Sequence, residues 1–477
     1  MGQVGGNGPS GRRAAGSVAA ILALLAAASA TADVAGTPAE GTAEAGLSRP
    51  NILVIMMDDQ RATGTLEVMP ATRSWFADGG TTFTAGFANT PLCCPARSTT
   101  FSGRYQHNHG VNTNQDGGNL DQDATLQRWL HDAGYHTALA GKFLLHWQGP
   151  LPHFDHFAHT NGGYEDAYFN VDDADSHDLG VGQTRAAYST DFVAERALDY
   201  LDHFEADDAR PWFLYLAPQA PHGPFTPAPR HADAPVPEWT PTPGVTEDYT
   251  SAQKADKAPF LRDNRFPVEG AQADREGQLR TLLAADEMVD AVFRRLEANG
   301  ELDTTLAVYT SDNGRFWAEH GMRSKSLPYT ESVQVPFMVR GPAWFPVGTT
   351  DDRLAGLVDI TPTVLAAAGV APDPGSSIDG RSLLDPASRA ELLLEYAEDP
   401  GFRYPAWASL RGPGWQYLEY YADDGVTVDY AEYYDLVADP YQLSNLLADA
   451  DPANDPDVAA LSARLAQARQ CRGPNCP

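Results

Sequence analysis

A cysteine stands two residues before a proline and four before an arginine in Cys93-Cys94-Pro95-Ala96-Arg97, and Gly103 follows. Pro95 suits the first turn of a helix, where its missing N–H costs nothing. Gly103 suits the stop of that helix. Cys93 then lies at or just before the helix N-terminus, where free N–H groups and the helix dipole favour an anion. Arg97, one turn on, adds a cation at the same place. Such a stretch builds either an anion site around a sulfur atom or a buried cysteine pair on a core helix, and spacing alone leaves both open.

The other residues able to do chemistry follow apolar runs. Asp58-Asp59 comes directly after residues 51–57. Two adjacent carboxylates are costly to bury unless solvated or neutralised, so the pair is an exposed turn or cap, or a site for a hard cation such as calcium or magnesium. Lys142 follows the run 136–140. His222 follows 212–217 inside Pro218-Gln219-Ala220-Pro221-His222-Gly223-Pro224, where the prolines stiffen its loop. Asp312-Asn313 follows 305–310. Lys325 sits in the Ser-rich stretch Arg323-Ser324-Lys325-Ser326, which by itself reads as a solvated charge contributing little to folding.

The elements that must position these residues can be read from the same runs. The run 51–57 is continuous, apolar and rich in β-branched residues, the pattern of a strand buried on both faces of a parallel sheet. Helical periods at 125–133, 189–204 and 281–298 lie between the strands. The alternation predicts an α/β fold, with a large, mixed, mostly parallel sheet flanked by helices. In such sheets the ligand crevice lies beyond the C-terminal strand ends. Asp58, Asp59, Lys142, His222, Asp312 and Asn313 therefore share one rim, provided the Cys93 helix opens onto it. Residues 227–267 are proline-rich and form a surface insertion. A strand follows at 335–340, then a helix capped by Thr361 with Pro362 near its start. Beyond Gly369 the runs 392–396, 407–411, 416–420 and 432–436 predict a small antiparallel sheet. A closing helix capped by Asp455, with Pro456 at its first position, runs to Gln470.

The chain has 477 residues, 43% of them hydrophobic, which is enough for a large globular core. Its net charge of −31 argues against nucleic acid or an anionic membrane as partner. An anionic substrate would need a local basic pocket inside that field. Residues 1–32 read as a secretory signal: Arg12 and Arg13 precede the apolar run 18–28, which is too short for a stable membrane insertion. The remaining divisions are a disordered lead-in at 33–48, a catalytic domain at 49–370 and a C-terminal antiparallel-sheet subdomain at 371–477. Cys471 and Cys476 bracket Arg-Gly-Pro-Asn. In an exported protein they are expected to pair, although a loose chain end fits the same residues.

The Cys93 stretch resembles the signature of the formylglycine-dependent sulfatases, Cys-x-Pro-(Ser/Ala)-Arg with a Thr/Ser-Gly-(Arg/Lys) ending. The resemblance extends from about Arg49 to Leu447. Asp-Asp after the first strand, Gly-Lys, Pro-His, Ser-Asp-Asn-Gly, the stretch from Lys325 to Val335-Pro336, and Val358-Asp359-Ile360-Thr361-Pro362-Thr363 occur in family order. Cys-Cys-Pro and Gly-Lys-Phe-Leu are most similar to the N-acetylglucosamine-6-sulfatase branch. The resemblance implies an alkaline-phosphatase-like fold and an exported sulfuric ester hydrolase. It implies that Cys93 is oxidised to formylglycine (3-oxoalanine) by a formylglycine-generating enzyme, and that the hydrate is the nucleophile. It makes Asp58, Asp59, Asp312 and Asn313 ligands of Ca2+. It places Arg97 beside the nucleophile, and Lys142, His222 and Lys325 around the sulfate ester of a sugar or aryl substrate. One departure is plain. Many family members have Gly-Lys-x-His, whereas Phe143-Leu144 follows Lys142 here and the histidine is displaced to His146. A phosphonate or phosphodiester hydrolase of the same superfamily, and a non-catalytic sugar-binding relative, are the alternatives.

Overall fold

The computed structural model describes residues 49–147, 149–172, 182–401 and 404–477. The secretory signal and lead-in expected at residues 1–48 lie outside the described residues.

Ten strands form one sheet in the order β12-β2-β11-β8-β1-β7-β3-β4-β5-β6. They are β1 (Asn51–Met57), β2 (Thr81–Phe87), β3 (His136–Lys142), β4 (His156–Thr160), β5 (Glu165–Val171), β6 (Gly182–Tyr188), β7 (Trp212–Ala217), β8 (Thr305–Ser311), β11 (Met338–Arg340) and β12 (Thr349–Gly356). The two strands missing from that count, β9 (Phe316–Trp317) and β10 (Arg323–Ser324), pair with each other as a short antiparallel ribbon. The central four strands, β8-β1-β7-β3, are all parallel. Only β11 and β5 run against their neighbours. β1 and β8 register residue for residue from Asn51 opposite Thr305 to Met57 opposite Ser311. Asp58 and Asp312 therefore leave the sheet side by side.

Burial explains the patterns. Ile52, Val54 and Met56 face one apolar layer and Leu53, Ile55 and Met57 the other, so no position on β1 is free to be polar. Helices cover both faces. The Cys93–Ser102 helix is buried along its whole length, and Gly103 ends it with φ +65°, a left-handed conformation that favours glycine. The helix Leu126–Asp132 follows Thr125, and Ser189–Glu205 lies close to its expected bounds.

Four expectations need correction. The helix expected at 281–298 is Val268–Asn299, 32 residues long. Its first half buries polar residues, Asp274, Arg275 and Gln278, and so shows no apolar period. Gly277 sits where a Cβ would come within 2.7 Å of Phe225 Cβ, so a residue that reads as a breaker is a packing contact. The strand expected at 335–340 keeps only Met338–Arg340, since Pro336 has no N–H for the ladder. The helix Ile360–Ala368 is preceded by Asp359 rather than capped by Thr361; Asp359 accepts the N–H groups of Gly356 and Arg381. The closing helix is Val458–Ala468, capped by Asp457 onto the Ala460 N–H instead of by Asp455.

The four-stranded antiparallel sheet is present, as β13 (Leu392–Tyr396), β14 (Trp407–Gly412), β15 (Trp415–Tyr421) and β16 (Val428–Asp435). It packs against the loop that carries Lys325: Trp407 Nε1 donates to Ser326 O and Gln416 Nε2 to Pro328 O. Cys471 and Cys476 are bridged. The bridged loop docks beside the short helix Gln106–His109, where Asn108 Nδ2 and His107 Nε2 reach Cys471 O. No helix among the described residues is long and apolar enough to cross a membrane.

Candidate active site

Every candidate from the sequence except His146 lies on the rim beyond β8, β1, β7 and β3. Asp58 and Asp59 follow β1, Lys142 is the last residue of β3, and Asp312 and Asn313 follow β8. The loop after β7 carries His222. Its carbonyl accepts from Tyr164 Oη at 2.8 Å, and Gln278 Nε2 holds the adjacent Pro221 carbonyl. Cys93 is the first residue of its helix, with Leu92 extended before it.

Cys93 Sγ is the focus. Lys325 Nζ lies 2.9 Å from it and Asp58 Oδ1 3.8 Å. Lys142 Nζ donates to Asp58 Oδ2 at 2.5 Å. Arg97, one helical turn behind Cys93, donates twice to Asp312 Oδ2, at 3.1 and 2.9 Å, and once to the Lys142 carbonyl. Asp59 Oδ1 accepts from Lys325 Nζ and from Asn313 Nδ2, while Asp59 Oδ2 accepts from Arg315 Nη1 at 3.2 Å. His222 Nε2 stands 3.8 Å from Asp59 Oδ2. Its Nδ1 is 2.7 Å from Gly223 O, which assigns the proton to Nδ1 and turns Nε2 toward the site.

Asp58, Asp59, Asp312, Arg97, Lys142 and Lys325 are all 2% exposed or less. Charges so far out of water persist only when paired. Burial pushes Asp58 up, but Lys142, His222 and Arg97 together outweigh it and hold the carboxyl at about 2. Burial likewise opposes Asp59, and Lys325, His222 and Arg315 hold it well below the usual carboxylate range. Burial pushes the Cys93 thiol up to about 12 against the pull of Lys142 and Lys325. At neutral pH the unmodified residue is therefore a thiol and a poor nucleophile.

The donor set fits a hard cation. Ligand atoms of Asp58, Asp59, Cys93 and His222 lie within 4.8 Å of one another. Asn313 adds a buried Oδ1 with no hydrogen-bond partner, on the same amide whose Nδ2 is bound to Asp59. A buried amide oxygen left unpaired beside two carboxylates is costly unless something electropositive meets it. Oxygen donors of this kind suit calcium or magnesium.

Backbone strain marks the same place. Asp59, Ser324 and Ser326 have φ of +66°, +73° and +78°. Non-glycine residues hold that conformation only where the surroundings enforce it. The two serines flank Lys325, whose burial corrects its reading as a solvated charge. His146 is exposed, and its backbone N–H donates to Asn161 Oδ1.

Three residues at the site escaped the sequence. Arg315 comes directly after Ser311-Asp312-Asn313-Gly314, one position beyond the motif. Gln278 lay in the half of the long helix that carries no apolar period. Asn114 accepts the Cys94 N–H at 3.0 Å through Oδ1 and lines the cleft, and no pattern pointed to it. The cleft has a volume of about 520 Å³, with His222, Phe225, Arg315 and Lys325 among its walls.

Residues 50–370 match the sulfatase family, and residues 318–471 match the C-terminal region of N-sulphoglucosamine sulphohydrolase. Human N-acetylglucosamine-6-sulfatase is 28% identical over 496 residues, covering 91% of this chain and 86% of that one. A Sulf-1-type extracellular sulfatase homolog of Caenorhabditis elegans is 33% identical over 353 residues, 71% of this chain; the chain spans about half (49%) of that relative's length. A solved structure in complex with its substrate, D-glucosamine-2-N,6-O-disulfate, superposes with a TM-score of 0.72 at 26% identity, covering 89% of this chain and 98% of the other. In sequence and in fold, the chain belongs to the sulfatase family, a family of sulfuric ester hydrolases.

Proposed function

We propose that this sulfatase is exported, matures Cys93 to formylglycine, binds one calcium ion and hydrolyses a sulfate ester on a sugar. The observation that carries the reading is the convergence on Cys93 Sγ of Lys325 and Asp58, with Asp59, Asp312 and the orphaned Asn313 Oδ1 gathered behind them. The sugar follows from the N-acetylglucosamine-6-sulfatase relatives and from the disulfated glucosamine bound by the structural neighbour. Export is supported by residues 1–32 and by the Cys471–Cys476 bridge. The end of the sulfatase match at residue 370 supports a division there, while the second match, 318–471, runs across it.

Asp58, Asp59, Asp312 and Asn313 would hold the ion, which would neutralise sulfate oxygens when bound. The formylglycine hydrate would supply the attacking hydroxyl, and a second hydroxyl that a serine lacks. This chain's residues do the rest. Arg97 fixes Asp312 and stiffens the turn that presents residue 93. Lys142 and Lys325 place two ammonium groups where the ester's charge develops, worth most in a site closed to water. His222, with Nδ1–H committed to Gly223 O, presents Nε2 to the cleft; in its doubly protonated imidazolium form it can deliver the Nε2 proton there to the leaving sugar oxygen.

Mass spectrometry of the Cys93 peptide, followed by assay of glucosamine 6-sulfates, 4-nitrophenyl sulfate and a paired phosphonate monoester, tests the proposal. The expected result is a formylglycine mass and a preference for sulfate esters, with turnover lost by at least about 10⁴-fold in Cys93→Ala. An unmodified thiol in fully active enzyme, or a preference for the phosphonate, would overturn it.

A further inference from the structure

The outer wall of the cleft carries a second cationic group that the hydrolysis of one ester does not use. Arg315 and Arg323 share a single carboxylate, Asp274. Arg323 Nε and Nη2 bond its two oxygens at 3.1 and 3.3 Å, and Arg315 Nη2 approaches at 3.5 Å. All three residues line the cleft that holds His222 and Lys325.

The two arginines differ in setting. Arg315 is 7% exposed, bonded also to Asp59 and laid over the Phe225 ring, yet its Nε has no partner. Arg323 has a side chain 54% exposed, lies over the Phe266 ring, and keeps Nη1 without a protein partner among the described residues. Two carboxylates, Asp59 and Asp274, face three cations, Lys325, Arg315 and Arg323, which leaves one positive charge spare in a chain that carries −31 as a whole.

The position is rigid. Arg323 pairs with Trp317 across the β9–β10 ribbon, and Trp317 Nε1 is anchored on Gln278 Oε1 at 2.6 Å. Lys325 lies two residues beyond Arg323. Two fully extended residues would span about 7 Å, and the left-handed turn at Ser324 shortens that, so the two backbone sites lie within about 7 Å of each other. That is the scale of one sugar ring, so a group bound at Arg323 belongs to the sugar whose ester lies at Lys325, or to its neighbour.

We infer that Arg323, backed by Arg315 and oriented by Asp274, forms a subsite for a second anionic substituent, a sulfate or carboxylate, on the sugar being desulfated. The inference rests on the sulfatase reading and narrows its substrate class to multiply charged sugars. Guanidinium groups suit such oxyanions because two parallel N–H groups match two oxygens. Asp274 holds the plane of Arg323 in place and leaves one edge for the ligand.

The test compares D-glucosamine 2-N,6-O-disulfate with N-acetylglucosamine 6-sulfate, which keeps the ring and the reacting ester but lacks the second charge. The wild-type enzyme is expected to favour the disulfate by about tenfold in kcat/KM, mainly through KM, as for one charge-assisted contact. The ratio is expected to fall toward one in Arg323→Ala, to recover partly in Arg323→Lys, and to shrink with added salt. A ratio unchanged in Arg323→Ala with formylglycine confirmed by mass, or no preference in the wild type, would overturn the subsite while leaving the sulfatase reading intact. If 4-nitrophenyl sulfate alone is hydrolysed, the two sugars serve as competing inhibitors and the same tenfold difference is read in Ki. If no sulfate ester is hydrolysed, the reading of function fails by itself; calorimetric titration of both sugars into wild type and Arg323→Ala then decides the subsite, with equal affinities rejecting it.

Discussion

Two clefts of nearly the same volume, about 510 and 520 Å³, open at opposite ends of the same central strands. Both contain buried carboxylates. At the N-terminal end Glu301 accepts from Asn51 Nδ2 at 2.7 Å and from Trp212 Nε1 at 3.1 Å, which are neutral donors with no other task. At the C-terminal end Asp58, Asp59 and Asp312 are met by Lys142, Arg97, Lys325 and Arg315. Burial raises Glu301, whereas the surrounding cations bring Asp58 down to about 2. Both ends even hold a cluster of three or more acidic or sulfur ligands within 4.8 Å, but at the N-terminal end two of the three, Glu205 and Asp208, are exposed. Size and acidity therefore do not distinguish a reaction site from a structural notch. What distinguishes them is concentrated charge of both signs, an orphaned oxygen and a strained backbone, all costs that folding alone does not require.

The largest expected effect tests whether the C-terminal charges serve the reaction. Lys325→Ala should cut turnover of the best sulfate ester by ~10²–10³-fold, the usual result of losing one donor to developing charge. Because Lys325 is buried against Asp59 and Cys93, stability should also fall, contrary to the expectation for a solvated lysine. Near-normal activity in the formylglycine-bearing variant would erase the contrast between the two ends.

A smaller effect comes from chelation. If the orphaned Asn313 Oδ1 marks an ion site, removing divalent ions should lower both activity and Tm, and calcium should restore them. At a free ion concentration of about 100 Kd the stabilisation is about 2.7 kcal/mol. A Tm indifferent to chelator, followed by calorimetry, would mean that the cations alone balance Asp58 and Asp59.

The contrast was only half legible in the sequence. The rim could be read because β1, β3, β7 and β8 are buried on both faces and a polar residue can appear only where each run ends. Pairing β1 with β8 then brings Asp58 to Asp312 without further information. Lys325 could not be found that way. Its burial depends on β9 and β10 folding back and on Trp407 and Gln416 holding residues 326 and 328 from the small sheet. Arg315, Asp274 and Arg323 were hidden for the same reason: they meet across the first half of a long helix, a loop and a two-residue ribbon, none of which has an apolar period. The N-terminal cleft was invisible because Asn51, Trp212 and Glu301 are each unremarkable in their own segments.

The smallest expected effect is a titration at the N-terminal end, and its sign follows from the direction of the shift. Burial raises the Glu301 carboxyl, with Glu205 and Asp208 adding to it and the bonds from Trp212 and Asn299 opposing it. An acid whose folded pKa exceeds its unfolded value of about 4.5 binds more protons in the folded state. Its cost is absent below about 4.5, where both states are protonated, and is complete once pH has risen through the folded value. Glu301→Gln keeps an oxygen for Asn51 and Trp212 but cannot ionise. Relative to the wild type, its Tm should therefore rise between about pH 4 and pH 7. Its kcat/KM should not change, since the site lies about 20 Å away along the seven residues of β1. Differential scanning calorimetry of the two proteins at matched pH reads the difference directly. A constant offset across that range would show that Glu301 does not titrate, and a changed kcat/KM would show that the two ends of the sheet are coupled.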